Sequence, residues 1–155
     1  MTAVHIEWYY YPLTQELVFA VIDDASRKPL ALIECKGPTT NSPIEGMIEA
    51  IKHGRILQCI SDHGSQFISN IGGDSRFVEF LEKNGIKQIL CRIKHPQSNG
   101  KVEKFFDLHQ NKRILYKTKE EFIVGYNEIR PHRSLNFEIL ETPQQAFIRK
   151  MRAEV

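Results

Sequence analysis

A mixed β-sheet with helices packed against its faces is the fold class this chain predicts, and three observations lead there. The first third holds three apolar, β-branched or aromatic runs separated by turn residues. Helical and strand-like segments then alternate through the middle, and the last third reads as helix alone. At 155 residues the chain suits one domain able to bury a core without disulfides or a structural metal.

The elements follow in order. Val4 to Tyr11, Glu16 to Asp23 and Pro29 to Cys35 are strands, with Pro12-Leu13-Thr14-Gln15 as the first turn and Asp24, Ser26 and Gly37-Pro38 as breakers. After Pro43, the spacing of Ile44, Met47, Ile48 and Ile51 fits one face of a short helix that stops at Gly54. Arg55 to Ile60 makes a fourth strand. Arg76 to Lys83 carries Phe77, Phe80 and Leu81 at helical spacing and ends at Asn84-Gly85, where a left-handed cap is expected. Ile86 to Cys91 is a fifth, short strand. Ser98 to about Tyr116 forms a long helix with Val102, Phe105, Phe106 and Leu108 inward, followed by another from Lys119 to Ile129. Arg130-Pro131 breaks that helix. Thr142-Pro143-Gln144-Gln145 offers an N-cap, a first-turn proline and a capping-box glutamine, which starts a last helix through Arg152.

Composition narrows the functional classes. Cys35, Cys59 and Cys91 are odd in number, widely spaced and free of CxxC pairing, so they indicate neither a disulfide framework nor a zinc ribbon and are expected as buried thiols. No signal-peptide pattern and no apolar run of spanning length occur, so a soluble, cytoplasmic protein is expected. The net charge of +2 conceals an asymmetry. Residues 1–86 hold 7 Lys or Arg against 11 Asp or Glu, whereas residues 87–155 hold 14 against 8. Between positions 92 and 119 eight cations face only Glu103 and Asp107, a pattern that suits either a solvated helix face or a polyanion.

Three acidic residues carry the candidate chemistry: Glu7 inside the first strand, Asp62 at the end of the fourth, and Glu103 in the long helix. If strands one and four are neighbours and the helix lies across their ends, the carboxylates form one cluster. Such a cluster repels itself unless cations occupy it, and hard oxygen ligands select Mg²⁺ or Mn²⁺. Two such ions activate a nucleophile and stabilise a leaving oxygen in phosphoryl transfer. Each residue alone is ordinary, Asp62 before His63-Gly64 being what many turns look like.

The neighbouring text is more specific. Ser61-Asp62-His63-Gly64-Ser65-Gln66-Phe67 is similar to the "TDNGSEF"-like block of retroviral integrases and insertion-sequence transposases, and His95-Pro96-Gln97-Ser98-Asn99-Gly100-Lys101-Val102-Glu103 resembles their "PQSNGxxE" block. Val21-Ile22-Asp23-Asp24-Ala25-Ser26-Arg27 looks like the "IDDASR" stretch. Tyr126 to Leu135 looks like the "YNxxRPHxSL" tail, with Thr142-Pro143 where the "TP" falls. Four blocks in order cover nearly the whole chain.

This resemblance to DDE-type transposases and integrases implies an RNase H-like α/β fold with a five-stranded mixed sheet flanked by helices. It makes residues 1–155 a catalytic core that includes the helical tail from about 119, without the N-terminal DNA-binding domain of the relatives. Asp62 and Glu103 match the second and third acidic residues, and Glu7 falls at the first, where the family has Asp. The extra methylene displaces the carboxylate by roughly 1.5 Å. Catalytic and metal-binding roles for Glu7, Asp62 and Glu103, with two Mg²⁺ or Mn²⁺ ions when DNA is bound, follow from the resemblance. So do DNA contacts by Lys94, Gln97, Asn99, Lys101 and Lys104 and a homo-oligomer when active. Asp23 and Asp24 are read instead as turn residues whose carboxylates bond nearby backbone N–H groups. The implied activity is metal-dependent phosphodiester cleavage and strand transfer in transposition. The competing expectation is an impaired remnant or a co-opted, non-enzymatic DNA-binding protein.

Overall fold

The computed structural model describes residues 3–37, 39, 41–62, 76–91 and 100–153. Its strands are β1 (Ala3–Tyr11), β2 (Glu16–Asp23), β3 (Pro29–Cys35), β4 (Gln58–Ser61) and β5 (Lys87–Leu90), and its helices α1 (Asn41–Ile51), α2 (Arg76–Lys83), α3 (Gly100–Lys112), α4 (Lys119–Val124) and α5 (Pro143–Ala153). They form a mixed five-stranded sheet in the order β3-β2-β1-β4-β5. β1, β2 and β3 pair antiparallel, as hairpin-connected strands can, while β4 and β5 return through helices to lie parallel to β1.

Strand alternation divides the core. Val4 and Ile6 of β1, with Phe19 and Val21 of β2, face one side, where they meet Met47 and Ala50 of α1, Phe77 and Leu81 of α2 and Phe147 of α5. Tyr11, Val18, Ala20 and Ile22 face the other, against Val102, Phe105 and Phe106 of α3 and Phe122 of α4. β1 is central, and the first half of the strand is covered on both faces. His5 is 5 % exposed.

Several local expectations hold in detail. Gly85 adopts φ +66° after α2, with Ile86 N–H donating to the Leu81 carbonyl at 2.9 Å. Thr142 Oγ1 accepts from Gln145 N–H while Gln145 Oε1 accepts from Thr142 N–H, closing a reciprocal capping box.

Others are corrected. Ile48 is 47 % exposed, because Gly46 and Met47 occupy the face that α1 turns to the sheet. Leu108 is only half-buried, and the fully buried position in that turn is His109, among Tyr11, Phe105 and Phe122. The long helix ends as α-helix at Lys112 and tightens into a 3₁₀ turn over Arg113–Leu115. The next becomes a π-turn over Gly125–Ile129, where a Cβ on Gly125 would lie 2.6 Å from the Tyr116 hydroxyl. β4 begins at Gln58 rather than Arg55. Of the cysteines only Cys59 is buried, Cys35 and Cys91 being half-buried.

Candidate functional site

Glu7 lies on the α3 side of β1, between His5 and Tyr9. The parallel register pairs His5 with Ile60, so that Glu7 stands level with Asp62, the first residue beyond β4. Glu103 occupies the first turn of α3, the helix that covers this face. The strand order and the helix therefore bring Asp62 and Glu103 toward Glu7 at the middle of β1, just beyond the end of its pairing with β4.

Electrostatics registers this proximity. Burial, and after it the negative charges of Asp62 and Glu103, push the Glu7 carboxyl up to about 7. Its Oε2 is buried and has no hydrogen-bond partner among the described residues. A carboxylate held in that condition lacks either a proton or a cation, and oxygen-only donors are those that hard divalent ions take. The donor chemistry fits such an ion. Among the described residues, however, no three His, Cys, Asp or Glu side chains are drawn together closely enough to ligate one ion directly.

The surroundings contain features the sequence reading did not assign. Cys91 follows β5 and donates its N–H to the Ser61 carbonyl at 2.8 Å. Burial, then the charges of Glu7 and Asp62, raise its thiol above the usual range. Only strand order places it there, since β5 neighbours β4.

Asp24 departs from the expected turn role. Asp23 does bond locally, accepting from the Ser26 N–H at 2.8 Å and from its hydroxyl. Asp24 instead joins His5 Nε2, at 2.7 Å, and the Lys101 ammonium across 77 positions of sequence. The His5 bond first, and the Lys101 ammonium after it, hold the Asp24 carboxyl well below the usual range. β1, the end of β2 and the start of α3 are thereby tied together beside Glu7 and Glu103. Lys101, expected as a free DNA-contacting cation, is engaged here, whereas Lys104 is exposed. Lys94, Gln97 and Asn99, with His63 and His95, lie outside the described residues.

Comparison with known proteins now bears on the arrangement. The chain resembles the catalytic core of bovine immunodeficiency virus (BIV) integrase with a TM-score of 0.75 at 15 % identity, covering 98 % of this chain and 97 % of that one. The fold is that of an integrase catalytic core. The magnesium-bound dimeric core of HTLV-2 integrase matches with a TM-score of 0.68 at 18 % identity over 94 % of this chain and 93 % of that one. In a simian T-cell lymphotropic virus intasome in complex with PP2A regulatory subunit B56 gamma, one chain matches at 0.69 and 17 % identity, over 94 % of this chain and 52 % of that one. By sequence, the chain is 29 % identical to "Putative integrase ORF3" of Spiroplasma virus SpV1-C74 in an alignment 147 residues long that covers 78 % of this chain. It spans 40 % of that curated relative. No protein-family model matches. The integrase- and transposase-like core read from the four sequence blocks, with its RNase H-like five-stranded sheet, is thus borne out. Among the described residues no helix is long and apolar enough to cross a membrane.

Proposed function

We propose that the protein cleaves and joins DNA phosphodiesters in integration or transposition, with Glu7, Asp62 and Glu103 holding Mg²⁺ or Mn²⁺. The observation that carries this reading is the half-buried Glu7 carboxyl, its buried Oε2 unpartnered among the described residues, repelled by Asp62 and Glu103. A structural carboxylate at this depth would have a hydrogen-bond donor or a counter-cation. Metal ions at the site supply Lewis acidity and a deprotonated oxygen nucleophile when bound. The chain's own part is positional. β1 and β4 fix Glu7 and Asp62 in register, and the Asp24–Lys101 pair anchors the first turn of α3, on which Glu103 is carried. Lys94, Gln97, Asn99, Lys101 and Lys104 are assigned to the DNA backbone, Lys101 sharing its ammonium between Asp24 and a phosphate. Water attacks in cleavage, and the freed 3′-hydroxyl attacks target DNA in joining. Residues 1–155 act as the catalytic core, a homo-oligomer assembling on transposon ends.

A second reading, an impaired or purely DNA-binding protein, draws on Glu standing where the resemblance implies Asp and on the open spacing of the described acidic residues. Misplacement of about 1 Å can cost on the order of 10²-fold in rate. Cleavage of a pre-nicked or branched DNA substrate in Mn²⁺ separates the readings. The wild type should cleave, Asp62→Ala should not, and Glu7→Asp should raise the rate if the longer side chain is the impairment. Failure of both wild type and Glu7→Asp in either metal sinks catalysis and leaves the DNA-binding reading.

A further inference from the structure

Among the tail segments singled out in the sequence, Arg130-Pro131-His132-Arg133-Ser134 has no part in the site so far described. It forms one wall of a groove of about 870 Å³ whose other wall is α3. The groove face of α3 is set by helical geometry. Lys104, Leu108 and Lys112 recur every four residues on it, while Val102, Phe105, Phe106 and His109 are buried on the opposite side. From the tail come Arg130 and Arg133, both exposed, and Phe137, 50 % exposed. Among the described residues, Asp107 is the single acidic one in the lining.

These cations differ from several others in the second half of the chain. Lys101 is held by Asp24, Arg113 by Glu34, and Arg149 by Glu141. Lys104, Lys112, Arg130 and Arg133 have no carboxylate within ion-pair distance among the described residues. His132 lies at the heart of the group. Burial, then the positive charges of Arg27, Lys104 and Arg130, depress its imidazole, whose Nδ1 lies in hydrogen-bond contact with the Ser134 hydroxyl at 2.9 Å. Four exposed cations converging on one concavity leave uncompensated positive potential there.

We infer that this groove between α3 and the Arg130–Ser134 segment binds a DNA strand by its phosphates, carrying DNA away from the Glu7, Asp62 and Glu103 end of α3. Three further facts fit. Lys104 follows Glu103 directly, so the groove begins where the acidic site ends. Lys104 and Lys112 are eight residues apart, ~12 Å along the helix, which matches the axial rise of roughly three to four nucleotide steps in a duplex. Phe137 presents an aromatic face on which a base can stack, the usual companion of cations in a single-strand groove. The inference rests on the DNA-directed reading above and adds the tail as a second contact surface.

Fluorescence anisotropy of the full chain with a labelled duplex, and with the same duplex carrying a single-stranded extension, tests it across a salt series. Arg130→Ala/Arg133→Ala is expected to lower affinity about tenfold at low salt. It should also flatten the dependence of log K on log salt by ~0.9 for each phosphate contact removed. Lys112→Ala, on the helical wall, should lower affinity in the same direction, which keeps the test open if the tail variant does not fold. Phe137→Ala should weaken the extended substrate more than the blunt one. DNA binding unchanged in both the tail and the Lys112 variants, with circular dichroism intact, overturns the groove and leaves the acidic-site reading standing. Loss of self-association rather than of DNA binding overturns it in favour of a contact between copies. A wild-type protein that binds no DNA removes both readings, whereas binding without Mn²⁺-dependent cleavage removes only the catalytic one.

Discussion

Glu7 is the residue on which function and stability meet. Its carboxyl has an ordinary value of 4.5 and a folded value of about 7, so the metal-free fold favours the protonated form. Because the folded value is raised, ionisation is disfavoured in the native state, and stability falls as pH rises from about 4.5 through 7, then levels off. We expect the thermal midpoint in EDTA to drop by about 5 °C relative to Glu7→Gln between pH 5 and pH 8. Divalent cation should restore it at pH 8 in the wild type only. Parallel pH profiles for the two proteins would show that Glu7 does not titrate as described. Glu34 offers the opposite case. Burial pushes its carboxyl up, but hydrogen bonds from His109 and Arg113 outweigh that and hold it at about 2. Its contribution is therefore present above the ordinary value of 4.5 and lost as pH falls toward 2. Arg113→Leu should shrink the acid-induced loss of stability, measured by urea unfolding at pH 6 and pH 3.

At the scale of elements, two close approaches decide how the helices seat. A Cβ on Gly46 would lie 2.6 and 2.8 Å from ring carbons of Phe19, so the absent side chain lets α1 lie flat on β2. Gly46→Ala should therefore destabilise the fold by about 1–3 kcal/mol even though alanine favours helix, a sign opposite to that expected from propensity alone. Denaturant midpoints with unchanged slope would measure it, and a stabilised variant would show that Phe19 yields freely. The Asp24–Lys101 pair works differently, since its partners are half-buried and its role is to place α3. Asp24→Asn should leave the global midpoint within about 1 kcal/mol of wild type. It should nonetheless lower Mn²⁺-dependent cleavage more than it lowers DNA binding. Equal losses in the two assays would assign Asp24 to DNA affinity rather than to positioning.

Over the whole molecule, charge is distributed so that the acidic site and the cations adjoin along α3. The groove cations, Lys104 among them, should make binding to DNA steeply salt-dependent and nearly independent of base sequence, because phosphate contacts give affinity without reading bases. A competition series with unrelated duplexes at two salt concentrations checks this. Affinity indifferent to salt, or confined to one sequence, would contradict it. The tail also leaves Ile129, Ile139 and Leu140 more than half exposed, so the same region is apolar as well as basic.

What the sequence by itself determined was everything with a local cause. β2, β3 and α2 follow from runs whose period and flanking breakers agree, and the Gly85 cap and Thr142–Gln145 box follow from backbone chemistry confined to a few residues. Glu7, Asp62 and Glu103 could be nominated because two of them sit inside recognisable blocks and the third at a fixed place before another. Tertiary structure decided which side chains meet. Asp24 has the composition of a turn residue and becomes a link between β1, β2 and α3 because His5 and Lys101 arrive from 19 and 77 positions away. Cys91 reaches the acidic site because β5 is the neighbour of β4, and His109 is enclosed because the turn of α3 that carries it faces Tyr11 and Phe122. The basic residues of the second half likewise differ only by partner. Lys101 and Arg113 find carboxylates, whereas Arg130 and Arg133 face Lys104 and Lys112 across a groove that no periodicity in the chain could announce.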